Sequence, residues 1–409
     1  MTLHHLLQLA KKRQVKLQRS LEKHQFNWLF NATTLRQHDV VLAQAESALQ
    51  NKSAHENLQV CLNSPDPLVR QGTQLKLELE KSFSECLSGS SNERILIQIP
   101  DARFSPAGYS LFSNLIESLN YIGIPARALG WDEDVQQALD QFKPTVLLSS
   151  DNHEYLRRID WDVIARYKVN QPLRVGLSAA LEEYESTPLL PRLAWAKQHQ
   201  IDFYYSYRDE DYVKNRQEYQ PFFDAGFEIV FIPFGANTLH YFPVAGFERD
   251  LNYVLMASRK REHIAYLKNI AHQYSGFLDG PGWKQVKHFQ FNRERDRYIY
   301  ARAKVGLNVH LPEQIHWACE LNERTYQLAA CGVPQLIDHP MLLNKVFGPQ
   351  SFFIAESPAQ YDQLFRELMQ DPQLGIEKAL YAQREVFAGH TTLHRAKSLI
   401  DQLKLLEQS

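Results

Sequence analysis

"NERTYQLAACGVPQLID", residues 322–338, is the stretch that decides the fold. Glu323 and Arg324 open a run with helical spacing, and the small residues Ala329, Ala330 and Cys331 close it. Gly332 just past the last helical residue and Pro334 beyond it form a helix stop. The apolar run that follows, to Asp338, predicts a buried strand. A charged helix start, a glycine turn and a buried strand together are a building unit of a parallel α/β sheet. The same stretch also allows a second use, because the first N–H groups of a helix attract anions.

Outward from this stretch, the pattern repeats. RILIQIP (94–100), PTVLLSS (144–150), RVGLSAA (174–180), IDFYYSY (201–207) and FEIVFIP (227–233) are short apolar runs, and SLFSNLIESLNYIG (110–123) is a helical spacer. After Pro243 the alternation restarts with NYVLMAS (252–258), a helix at about 260–273, GFLDG, VKHFQF (286–291), a helix over 293–303 and KVGLNVH (304–310). Continuous apolar strands between helices predict parallel sheets covered on both faces, with ligands at the carboxyl ends of the strands. The chain of 409 residues exceeds one core of about 250–300 residues, so two such domains in series are expected. No GxGxxG follows the first strand, which removes the dinucleotide fingerprint.

Composition excludes other classes. With 44% hydrophobic and 22% charged residues, the chain is an ordinary globular one, not a disordered one. Its formal net charge of −2 gives no global attraction for nucleic acid. No run of about 18 apolar residues predicts a membrane span. Cys61, Cys86, Cys319 and Cys331 show no CxxC spacing, so neither a disulfide framework nor a zinc site is expected. Cytoplasmic location is the default.

Residues 1–90 read as helical, since the first proline is Pro65 and the first glycine is Gly72. Six basic residues face one acid between residues 1 and 24, which is either a solvated face or a surface for an anionic membrane or a partner. Ser88 to Asn92 reads as a linker, which predicts that the helices separate from the rest. The expected organisation is a helical region at 1–90, a first Rossmann-like domain at 93–244, a second at 245–385 and a terminal helix at 386–409 crossing back to the first.

Four local patterns come in order: PFGANTLHYFP (233–243), ASRKREHIAYL (257–267), the opening stretch after KVGLNVH, and GHTTLHRAKSLI (389–400). Together they resemble the group-1-like glycosyltransferases of the GT-B fold, in particular the CgeB-like branch. Pro233, Gly235, Asn237, Tyr241 and Pro243 match the family's joint. Ser258 and Arg261 match its serine-then-arginine turn, and Asn308, Arg324, Tyr326, Ala330 and Gly332 match its asparagine and R-x-Y/F-E-x-x-A-x-G. His390, Thr391 and Arg395 fit its closing helix.

The resemblance implies transfer of a sugar from a nucleotide-sugar held by the C-terminal domain to an acceptor on the N-terminal one. The acceptor (glycan, lipid-linked glycan, protein or small molecule) is not implied. The expected chemistry is metal-independent, without a cofactor, and retaining more often than inverting. Donor contacts are expected from Ser258, Arg261, Asn308, Glu323, Arg324, Tyr326, Gln327 and Gly332. Arg261 and Arg324 are the phosphate candidates, because a planar fork suits phosphate oxygens. Arg259 and Lys260 read as a solvated charge run. Gln327 stands where the family's ribose-binding glutamate stands, and Cys319 stands at its upstream acid, with Glu320 one place on. Catalytic candidates are Asp151 and His153 after a strand of the first domain, and His316 and Glu320 in the loop after KVGLNVH. Asp151 could equally cap a helix. An epimerase or hydrolase, or a non-catalytic nucleotide-sugar-binding scaffold, could share this architecture.

Overall fold

In the computed structural model, which describes residues 32–86, 92–181, 188–283, 286, 290 and 292–407, the chain forms two parallel sheets in succession. The first holds β1 (Ile95–Gln98), β2 (Ala126–Leu129), β3 (Val146–Ser150), β4 (Arg174–Ser178), β5 (Phe203–Ser206) and β6 (Ile229–Phe231), in the order β2-β1-β3-β4-β5-β6. The second holds β7 (Val254–Met256), β8 (Phe277–Asp279), β9 (Gly306–Asn308), β10 (Gln335–Asp338) and β11 (Phe353–Ala355), in the order β11-β10-β9-β7-β8. All the pairings are parallel. Strands β1, β5 and β10 are buried at every residue, because helices cover both faces.

The helices that matter to the site are α1 (Ala32–Gln50), α2 (Pro67–Cys86), α3 (Pro106–Tyr121), α4 (Glu262–Gln273), α5 (Arg293–Ala301), α6 (Glu323–Ala330), α7 (Pro372–Gly389) and α8 (Thr392–Leu406). The opening stretch is α6, its turn and β10. Asn322 caps α6 by accepting from Thr325 N–H at 3.1 Å. Gly332 has φ +67°, and a Cβ there would lie 3.0 Å from both Leu68 Cβ and Gln383 Nε2. The turn therefore needs glycine twice over, for its left-handed backbone and for the closeness of α2 and α7.

The joint and the C-terminal pattern meet. Ala236 N–H donates to His390 O at 2.9 Å, Thr392 N–H donates to Ala236 O at 2.8 Å, and Arg395 bonds Phe234 O. Helix α8 packs on α3, where Ser118 and Thr392 hydroxyls lie 2.6 Å apart. The motif residues at 233–243 and 389–395 thus hold the two halves of the chain together.

Three readings need correction. Strand β2 (ARAL) was not legible as an apolar run, because its two central residues are only half buried at the sheet edge. GFLDG, a short run after the helix at about 260–273 with no strand of its own assigned, contributes β8. The helices before residue 90 are not a detached layer: α1 packs on α5 and β8, α2 packs on α7, and Val41, Ala45, Leu79 and Phe83 are buried in the main core. The basic stretch at 1–24, most of the 88–92 linker and most of VKHFQF lie outside the described residues.

Candidate active site

A cavity of about 320 Å³ opens between the start of α3 and the carboxyl ends of β7, β8 and β9. Pro106, Ala107 and Ser110 line it from the first half of the chain, and the strand ends and α6 line it from the second. This is where an open α/β sheet binds ligands.

Arg324 lies in the cavity wall, 9% exposed. Its Nη2 donates to Val309 O at 3.1 Å, Nε to Asn308 Oδ1 at 3.3 Å and Nη1 to Met256 O at 3.4 Å. All three acceptors are neutral. No carboxylate among the described residues forms an ion pair with it, and burial pulls its pKa down without removing the charge. Asn308 sits behind it, accepting from Asn322 Nδ2 at 2.9 Å and donating to Thr325 Oγ1 at 2.9 Å and Gln335 Oε1 at 3.1 Å. Asn308 is a support that fixes the guanidinium and the start of α6.

Other polar groups converge on the same space. Lys260 lines the cavity, and its backbone N–H donates to His263 Nδ1 at 3.3 Å. Burial, with the charges of Arg324 and Lys260 behind it, drives His263 down to about 3, so it stays neutral. Burial pushes Asp296 up to about 6, although Arg295 beside it pulls the other way. Burial likewise pushes Glu323 up to about 7, opposed by hydrogen bonds from Asn114 and Ser110 and by the charge of Arg293. Asn114 Nδ2 donates to Glu323 Oε1 at 3.2 Å, so this carboxyl reaches the opposite side of the cleft. The far wall is the turn at Asp279–Pro281, where Gly280 has φ +128° and a Cβ would lie 2.3 Å from Ala257 O.

Of the residues singled out from sequence, Ser258, Glu323, Arg324 and Gln327 come together in the cavity. Arg324 and Gln327 are three apart on α6 and share a face. Tyr326, on the opposite face, is 2% exposed and packs its ring 5.7 Å from Phe347. Gly332 serves the turn. Arg261 is exposed at the start of α4 and does not line the cavity; Lys260 is exposed as well, as expected of a solvated run, and lines the cavity.

The four residues read as catalytic are not in the cavity. Asp151 is fully buried and paired with Arg192, and with His153 it lines a separate depression beside Trp161 and Trp195. Its carboxylate compensates a buried guanidinium, so it is not available as a base. His316 is exposed on the short helix Pro312–His316. Glu320 lies 3.9 Å from Arg208 and accepts from Gln314 Nε2 at 3.2 Å. The sequence reading missed Lys260, His263, Asp279 and Asp296. Of these only Asp279 carried a local signal, an acid followed by Gly-Pro-Gly after an apolar run.

Comparison with known proteins agrees with this architecture. Residues 261–401 match the family model described as Glycosyl transferase-like. A structure of T4 phage BGT in complex with its UDP-glucose substrate aligns at TM-score 0.50 and 11% identity, covering 76% of this chain and 98% of that one. A T4 phage BGT mutant in complex with UDP-glucose aligns at TM-score 0.52 and 12% identity, covering 76% and 99%. A structure of Anabaena Alr3699/HepE in complex with UDP-glucose aligns at TM-score 0.49 and 12% identity, covering 77% and 100%. A comparison with curated proteins finds no match. The chain thus has the GT-B fold, and its residues 261–401 carry a glycosyl transferase-like domain.

Proposed function

We propose that the protein is a glycosyltransferase that takes a sugar from a UDP-sugar held by the C-terminal sheet and passes it to an acceptor entering from the N-terminal side. Arg324 carries this reading: a buried guanidinium, held in place by neutral oxygens, at the start of α6 and in the wall of the cleft. A diphosphate leaving group gains negative charge as the glycosidic bond breaks. A fixed fork and the helix N-terminus stabilise that charge, and Lys260 adds a second cation. These cations support a metal-independent reaction. The T4 phage BGT structures share the fold and hold UDP-glucose, which makes UDP the first nucleotide to test. Retention, the course that the resemblance implies, leaves the acceptor proton to the departing diphosphate; inversion needs a base on the acceptor side.

The test is a thermal-shift screen with UDP, GDP, ADP, CMP and dTDP. A ligand that binds only the folded state stabilises it by about 2.7 kcal/mol at 100 times its Kd. UDP is expected to give the largest rise, unchanged by EDTA. No shift with any nucleotide would remove the reading. UDP-glucose turned into another nucleotide-sugar without an acceptor would make the protein an epimerase, and binding without turnover a scaffold.

Gln327 gives a smaller prediction. Its side chain lines the cavity and makes no hydrogen bond to the described residues. If it bonds the donor ribose, Gln327→Ala weakens UDP affinity by about 0.5–1.5 kcal/mol, the net value of a neutral hydrogen bond. Gln327→Glu matches or exceeds the native affinity, because a charged acceptor bonds hydroxyls roughly twice as strongly. Calorimetry that finds both variants unchanged would place the ribose elsewhere.

A further inference from the structure

Glu323 and Arg324 are neighbours on α6, and successive residues on a helix point about 100° apart. Arg324 turns to the strand ends of the second sheet, whereas Glu323 turns across the cleft to Asn114 on α3. A ligand whose diphosphate lies on the Arg324 side would therefore have Glu323 on the side from which an acceptor enters. Resting on the function proposed above, we infer that Glu323 is the catalytic base, taking the proton of the acceptor hydroxyl during inverting transfer.

The step balances. The acceptor O–H bond breaks and its proton passes to a Glu323 carboxylate oxygen. The freed pair on the acceptor oxygen forms the bond to the anomeric carbon. The bond from that carbon to the diphosphate oxygen breaks, and its pair leaves on UDP.

The surroundings suit a group that changes charge near neutral pH. Ser110 and Asn114 face Glu323 from α3, Arg293 and Tyr300 from α5, Tyr207 from beyond β5 and Tyr241 from the joint; its own helix adds Arg324. Arg293 is already engaged by Glu117, with Nη1 and Nη2 donating at 2.9 and 2.5 Å, so it steadies the Glu323 carboxylate without neutralising it. Burial raises the carboxyl to about 7, where a base can both accept and release a proton. The competing role is a latch between the two halves of the cleft through Asn114. Glutamine separates the two, since its amide oxygen still accepts from Asn114 but cannot take a proton.

The experiment uses the full chain with UDP-glucose as donor and water as acceptor, following UDP release from pH 5 to 9 and the first-formed glucose anomer by NMR. Calorimetry with UDP runs alongside. The wild-type rate should rise as pH climbs through about 7, because only the ionised carboxylate accepts a proton, and β-glucose should form first. E323Q should hold UDP affinity within twofold, lose at least a hundredfold in rate and lose the acid limb. E323Q within a few-fold of wild type at every pH, or α-glucose formed first, would overturn the assignment. Where water proves too poor an acceptor to follow, a wild-type minus E323Q infrared titration decides. A carboxyl midpoint near 7 supports the base, and one below 5 overturns it. Wild-type protein that does not bind UDP would instead sink the functional reading.

Discussion

Arg324→Ala should cost tenfold or more in UDP affinity and leave uridine affinity nearly unchanged. The guanidinium is the one buried cation in the described cavity wall, and its present partners are two carbonyls and an amide oxygen. A hydrogen bond between charged groups is worth about 1.5–3 kcal/mol, or about ten- to a hundredfold in affinity. Arg324→Lys should recover only part of it, because a point charge cannot make the paired contacts of a planar fork. Arg261→Ala, at an exposed position outside the cavity, should change UDP affinity less than threefold. Equal loss of uridine and UDP affinity in Arg324→Ala would mean that the cavity had collapsed, and no loss would remove the phosphate role. A melting curve for each variant separates the two.

Removing residues before Asn92 should abolish cooperative folding rather than release a working core. Arg297 is 2% exposed and its guanidinium is paired with Glu56, which also accepts from the Tyr298 hydroxyl. Arg302 Nη1 donates to Gln44 Oε1 at 2.6 Å, and Gln71 Nε2 to Leu380 O at 2.9 Å. Stripping one partner from a buried ion pair costs about 3–5 kcal/mol. That alone is a large part of the usual 5–15 kcal/mol of stability. The apolar faces of α5 and α7 would be exposed as well. A truncated chain that melts within a few degrees of the full one would show the helices to be an accessory after all.

The sheets were largely legible because a strand covered on both faces must be apolar throughout, and such runs stand out between helices. Strand β2 escaped because an edge position allows the Arg127 side chain to leave the sheet for Glu133. At the site, Arg324 and Gln327 were reached through the family resemblance, and both line the cavity because residues three apart share one face of a helix. Tyr326 came from the same pattern but faces the core. Lys260, Asp279 and Asp296 come from three separate segments, and only tertiary packing brings them to one cavity. Asp151 was placed correctly at a strand end, but nothing in SSDNHEYL signals that Arg192, 41 residues on, would claim its carboxylate.

The most direct test of the whole account is a crystal structure of the full chain with UDP. UDP should bind with its diphosphate within hydrogen-bond distance of Arg324 and the first N–H groups of α6, and with the Glu323 carboxylate turned away from it toward Asn114. UDP bound away from this cavity, or with its phosphates turned from Arg324, would contradict it.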